Sequence, residues 1–233
     1  MEGYFSSPQI LYLALIAIFV LSSIAQGKVQ RTFEKYAHTE ASSGITAEQM
    51  ASQILLRNGV YNVGIEAVNG TLTDHYDPST GVVGLSTQVY GQNSVSALAV
   101  TAHEIGHVVQ HQEGFAALNV RNAILPFARI SSAFAPWVVI GGVVFGLRPL
   151  AMVGVVLFGA VLLFKLVTLP VELDASRRGL QYLEEGAYIS EEQNSQAREV
   201  LKAAAMTYVW ATLATLISFI RLLSISRSSR RRG

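Results

Sequence analysis

Apolar runs fenced by charged residues set the pattern of this chain. Residues 3–27 carry no charge between Glu2 and Lys28, and a bilayer span needs about 20 such residues, so PQILYLALIAIFVLSSIAQG is long enough to cross. Two further runs, 130–147 and 149–171, flank a short LRPL connection. Arg148 and Pro149 there read as the tip of a helical hairpin, with Lys165 able to snorkel toward a membrane surface. A fourth run, 203–220, lies between Lys202 and Arg221 and carries Tyr208 and Trp210. The pattern predicts four transmembrane helices, the middle two starting and ending on one side. The competing account packs the last three runs inside a soluble core. The first run can also be read as a signal peptide cleaved after Ser23-Ile24-Ala25, but Glu2 stands where such a peptide has its basic residues. Retention as an anchor is the expectation.

The long polar region, residues 28–131, has the texture of a globular unit. TAEQMASQILLRNG offers a capping box at Thr46 and Gln49, apolar positions at Met50, Ile54 and Leu55, and a stop at Asn58-Gly59. YNVGIEAV alternates Val63, Ile65 and Ala67, DHYDPSTG carries turn residues, and VVGLSTQVY reads as another strand. A last helix spans about 93–113, capped by Asn93 or Ser94 and ended by Gly114. The predicted organisation is an anchor (1–27), a catalytic region (28–131), a transmembrane hairpin (132–171), a helix over 172–202, a final span (203–223) and a basic tail (224–233). The fold class is a mainly α membrane protein with a small α+β zincin-like region and a short sheet for binding substrate.

Composition agrees with a membrane protein. Of 233 residues 51% are hydrophobic and 14% charged, against about a quarter charged in an ordinary soluble chain. The formal net charge is +1 with no basic stripe interleaved with aromatics, which excludes a nucleic-acid partner. Cysteine is absent, so a metal must be held by His, Asp or Glu.

Such residues stand in ALAVTAHEIGHVVQHQ, residues 97–112, inside an otherwise apolar helix. At 3.6 residues per turn His103 and His107 lie one above the other, so both imidazoles can reach one ion, and Glu104 sits beside them. A zinc hydrolase uses that arrangement: zinc activates a water and the carboxylate takes its proton. Random placement of the chain's five histidines and its glutamates gives roughly 0.006 HExxH matches per chain of this length. The plainer account, core histidines bonded to backbone and a paired glutamate, leaves three polar groups to be buried at a cost that a metal removes. His111 continues the row but lies about 12 Å along the axis from His103, too far to share the ion, and is expected at the surface or behind the ligands. The metzincin pattern fails, since Gln110 occupies the position of its glycine. Glu172, in LPVELDASRRG, is a candidate third ligand, although pairing with Arg177 or Arg178 would account for it equally well.

Together, LTDHYDPSTGVVGLSTQVYGQNSVSALAVTAHEIGHVVQHQ and, after a hydrophobic hairpin, LPVELDASRRGLQYL resemble the YugP-type neutral zinc metallopeptidases, a family of small bacterial and archaeal membrane proteins. The resemblance runs from the first span to about residue 220. It implies a membrane-bound zinc endopeptidase holding one Zn²⁺, with His103 and His107 as ligands, Glu104 as general base and Glu172 as the matching downstream acid. The chain is more distantly similar to the HtpX-type and CAAX-prenyl proteases, which carry an Asp four residues after the ligand Glu. Ser176 stands at that position here and Asp174 is the nearest acid, so the resemblance leaves open which residue orients the histidines. In this broad class an edge strand near the metal holds extended substrate through main-chain hydrogen bonds. Val82, Val83, Gly84, Leu85 and Ser86 form the candidate strand, and His75 and Tyr90 are candidate oxyanion donors, each with an ordinary strand, turn or core role as the alternative.

The expected partners are a lipid bilayer and polypeptide substrates, membrane-associated or misfolded; a further subunit is not readable. The expected location is the cell membrane. Eleven Lys and Arg on the catalytic side against six opposite favour a cytoplasmic active site, while Arg221, Arg227, Arg230, Arg231 and Arg232 at the last span's exit pull the other way. A metal-stabilised scaffold or pseudoprotease is the alternative function. Transport is disfavoured, because the first, second and fourth runs hold no ionisable residue between their fences.

Overall fold

A computed structural model of the chain describes residues 8–228. The described residues form α1 (Pro8–Tyr36), α2 (Ala47–Arg57), β1 (Gly64–Val68), β2 (His75–Asp77), β3 (Val82–Ser86), α3 (Val95–Gln112), α4 (Ala116–Val144), α5 (Arg148–Glu185) and α6 (Glu191–Ser228). Four of these helices, α1, α4, α5 and α6, are long and apolar enough to cross a membrane. The mainly helical class with a small sheet is as expected. The terminal arginines of the basic tail, Arg230 to Arg232, lie outside the described residues.

The chain divides into two compact units. One comprises Met1–Ile24, Asn119–Pro170 and Thr207–Gly233. Its helices meet at small residues: a Cβ on Gly154 would come within 2.7 Å of the Val139 backbone nitrogen, so α4 and α5 pack backbone to backbone there. Trp137, Phe134 and Phe145 are exposed, which suits a lipid solvent and would be costly in water. The hairpin turns at Gly146, whose φ of +68° favours glycine.

The second unit comprises Ala25–Leu118 and Val171–Met206. Its core is built by Met50 and Ile54 of α2, Val83 and Leu85 of β3, Leu98 and Ile105 of α3 and Leu183 of α5. The Thr46–Gln49 capping box forms as its sequence requires. Glu48 adds a tie, accepting from the Gly91 backbone N–H at 2.9 Å.

In the sheet, β3 is the central strand, parallel to β1 and antiparallel to β2. This corrects the expectation that residues 82–86 form an edge: Val83 faces Ile65 on one side and Tyr76 on the other, so its backbone has no side left for substrate. Alternation on β3 buries Val83 and Leu85 in the core while Gly84 faces away, and the His75 ring lies against Gly84, whose Cβ would meet it at 2.8 Å.

A second correction concerns residues 172–202, expected as one helix. The α5 helix runs through Pro170 to Glu185, and α6 starts afresh at Glu191. Between them Ala187 has a φ of +50°, and Ser190 and Gln193 exchange backbone-to-side-chain hydrogen bonds at 3.1 and 3.2 Å, a reciprocal cap that begins α6.

Candidate metal centre

The HEIGH segment lies in α3, which starts at Ser94, whose hydroxyl accepts from the Ala97 N–H, and ends at Gly114 in a left-handed conformation. Against it packs the last part of α5, at a crossing made by glycines. A Cβ on Gly106 would come within 2.6 Å of the Ala175 carbonyl oxygen, and one on Gly179 within 3.0 Å of the Ala102 carbonyl carbon. The two backbones therefore touch, one turn apart, and the side chains flanking the contact are brought face to face.

Those side chains are His103, His107 and Glu172. One ligand atom from each lies within 4.8 Å of the others. The Glu172 Oε2 is 3.4 Å from His103 Nε2 and 3.6 Å from His107 Nε2. In a tetrahedron with ligand bonds of about 2.1 Å, neighbouring ligands stand about 3.4 Å apart, so the donor set fits a zinc ion. The histidine rings meet edge to face with centroids 4.7 Å apart, and all three side chains are at most 15% exposed.

Hydrogen bonds behind the ligands fix which atoms face the centre. Buried Gln110 donates through Nε2 to the Val171 carbonyl at 2.9 Å and to Asp174 Oδ2 at 3.0 Å. Both partners only accept, so the amide oxygen is the end turned to His107 Nδ1, 3.0 Å away. Nδ1 must then carry the proton, which leaves the Nε2 lone pair pointing into the centre. Burial pulls the His107 imidazole down, but the Glu172 carboxylate and the charge of Glu104 outweigh it and hold the ring above its ordinary pKa. Asp174 is itself held by Arg177 and Arg178, and Arg178 reaches on to Glu113. His103 Nδ1 is paired with Ser176 Oγ at 3.1 Å.

Other candidates are placed differently. Glu104 is 9% exposed and makes no hydrogen bond among the described residues. Asp174 acts on His107 only through Gln110. Arg177 and Arg178, named in the alternative account of Glu172, both pair with Asp174. His75 donates Nδ1 to the Thr73 carbonyl at 2.8 Å on the sheet face opposite to Tyr76, whose hydroxyl meets His111 of α3 at 3.2 Å. The pleat thus turns His75 away from α3, and the candidate donor role does not suit it. Tyr90 sits in the turn after β3, 38% exposed, without a side-chain hydrogen bond among the described residues. Sequence reasoning missed the roles of Gln110 and Tyr76, and named Ser176 only as the residue standing where distantly similar proteases carry an aspartate. Gln110 lies three residues beyond His107 and Ser176 four beyond Glu172, spacings that put each on its ligand's own helix face.

Residues 11–227 match the family described as "Putative neutral zinc metallopeptidase". The chain is 45% identical over 215 residues, 92% of its own length and 96% of the relative's, to a Bacillus subtilis (strain 168) protein named "Putative membrane protease YugP". No solved structure matches it.

Proposed function

Because the chain belongs to this neutral zinc metallopeptidase family, we propose that it is a membrane-embedded, zinc-dependent endopeptidase that cuts membrane-associated or misfolded polypeptides near the bilayer surface. The observation that carries this reading is the convergence of His103 Nε2, His107 Nε2 and Glu172 Oε2 beside Glu104. Those three side chains would hold the ion, which would supply a water of lowered pKa and Lewis-acid polarisation of the scissile carbonyl.

Glu104 supplies the proton chemistry. Its carboxylate has no hydrogen-bond partner among the described residues, so it can take a proton from the attacking water and pass it to the departing amine. Gln110 and Ser176 hold the two imidazoles in the orientation that ligation needs. Extended substrate pairs with the sheet at β2, an outer strand tied to α3 through Tyr76 and His111. The active site faces the cytoplasm, in keeping with the excess of Lys and Arg on the catalytic side.

Zinc content and cleavage of an unfolded fluorogenic polypeptide, measured on detergent-purified protein, test the reading. Wild type should hold near-stoichiometric zinc and cleave. Glu104→Gln should keep its zinc and lose cleavage by at least a hundredfold, while His107→Ala and Glu172→Ala should lose both. A Glu104→Gln protein cleaving at the wild-type rate would sink the mechanism. Zinc retained without any cleavage in wild type would leave the metal-stabilised scaffold as the better account.

A further inference from the structure

A cavity of about 510 Å³ opens in the second unit between α5 and α6, lined by none of the three ligands but including Ser176, the hydrogen-bond partner of His103. Its ten lining residues include Leu173, Arg177 and Leu180 on α5, and Arg198, Lys202 and Ala205 on α6. Three of the ten are cations. Arg177 is engaged by Asp174 through one nitrogen, leaving further N–H groups of its guanidinium to donate. Arg198 and Lys202 are exposed and have no acidic partner among the described residues. Glu184 is the acidic member of the lining.

The order of charges along this groove identifies its ligand. The apolar run of α5 ends at Val171 and that of α6 begins at Ala203. At a rise of about 1.5 Å per residue, Lys202 lies about 1.5 Å, Arg198 about 7.5 Å and Arg177 about 9 Å beyond those borders. Glu184 lies about 20 Å beyond. The headgroup zone of a bilayer is about 5–7 Å deep on each side, and long basic side chains reach back toward it. Lys202 therefore falls at headgroup depth, Arg198 and Arg177 stand just outside it within reach of their long side chains, and the carboxylate lies well beyond. Near the border the lining is apolar, with Leu173 47% exposed, as an acyl chain entering between the helices would require.

We propose that this groove binds an anionic phospholipid, its phosphate held by Arg198 and Lys202 with Arg177 behind, and its acyl chain against Leu173 and Ala205. Basic pockets beside membrane spans recognise headgroups through this combination of charge and depth. The proposal goes beyond the peptidase reading and does not depend on it, since none of these residues is a metal ligand.

Native mass spectrometry on the full chain, released from nanodiscs of phosphatidylcholine with about 30% phosphatidylglycerol, tests it. Wild type should retain phosphatidylglycerol at least tenfold over phosphatidylcholine. The Arg198→Ala/Lys202→Ala pair should lose that preference, and Arg148→Ala, at the hairpin tip, should keep it. Helical circular dichroism and the gel-filtration profile report whether the paired variant is folded; if it is not, Lys202→Glu alone carries the same expectation. Equal retention of the two lipids, or an unchanged preference in the folded variants, overturns the proposal. So does displacement of the lipid by inorganic phosphate or an acidic peptide at concentrations no higher than the lipid's own, which would assign the cations to a soluble anion.

Discussion

Gln110 decides more about the centre than its neutral side chain suggests. Its two donors are committed to acceptors that cannot donate back, so its oxygen, and through it the His107 tautomer, is determined by Val171 and Asp174. Gln110→Leu should weaken zinc binding by about 10- to 100-fold, the usual scale for residues that orient a ligand, as read by competition with a chromogenic chelator. It should also cost about 1–3 kcal/mol of stability by stranding buried acceptors. Gln110→Glu should fare no better, because its carboxylate would face that of Asp174. At His103 the partner is a hydroxyl where the distantly similar proteases have an aspartate, so Ser176→Ala should lower zinc affinity and Ser176→Asp restore it. The same chelator titration checks both. Of this, only the ligands and the position of Ser176 were legible from the sequence. HEIGH displays its chemistry within five residues, whereas Ser176 and Gln110 acquire their roles from partners 73 and 61 residues away.

Among the elements, the α3–α5 crossing sets the geometry of the ligands. With Gly106 against Ala175 and Gly179 against Ala102, any side chain on either glycine must push the helices apart. Gly106→Val should lower the melting temperature and reduce zinc affinity at least tenfold. Gly141→Ala is the control: a Cβ there meets nothing within 4 Å, so better helix propensity should make it neutral or stabilising by about 0.5–1 kcal/mol. Elements with local signals were readable, as the Thr46–Gln49 box, the Ser94 cap and the apolar runs show. The Ser190–Gln193 box was equally local and was overlooked in favour of one long helix. Strand order was a different matter. VVGLS has the same alternation whether central or at an edge, and its partner HYD is only three residues within a turn-rich stretch, so nothing along the chain announces that β3 is enclosed.

For the whole molecule, the proposed metal and the membrane are the two external conditions on which stability is expected to depend. Ligands on α3 and α5 are separated by the entire hairpin in sequence, so an ion joining them ties distant segments of the second unit and binds only the folded form. Removing zinc with a chelator should lower the melting temperature, and restoring it should bring the loss back; an unchanged melting temperature would mean the three side chains do not share an ion. Orientation can be tested because the chain has no cysteine. With a cytoplasmic active site, Ser43→Cys should be shielded in intact cells from a membrane-impermeant maleimide and Leu147→Cys, at the hairpin tip, labelled; the reverse pattern would invert the topology.

The close helix crossing also bears on how such chains should be recognised. In HEIGH the two positions usually written as arbitrary are not interchangeable: Ile105 fills the core, and Gly106 is the surface on which the second helix rests. A grammar for this build would therefore read histidine, glutamate, large apolar, glycine, histidine, followed after a hairpin by glutamate with small residues three and seven positions later. Chains that spell only HExxH, with a bulky fourth letter, would need another way to bring their third ligand near.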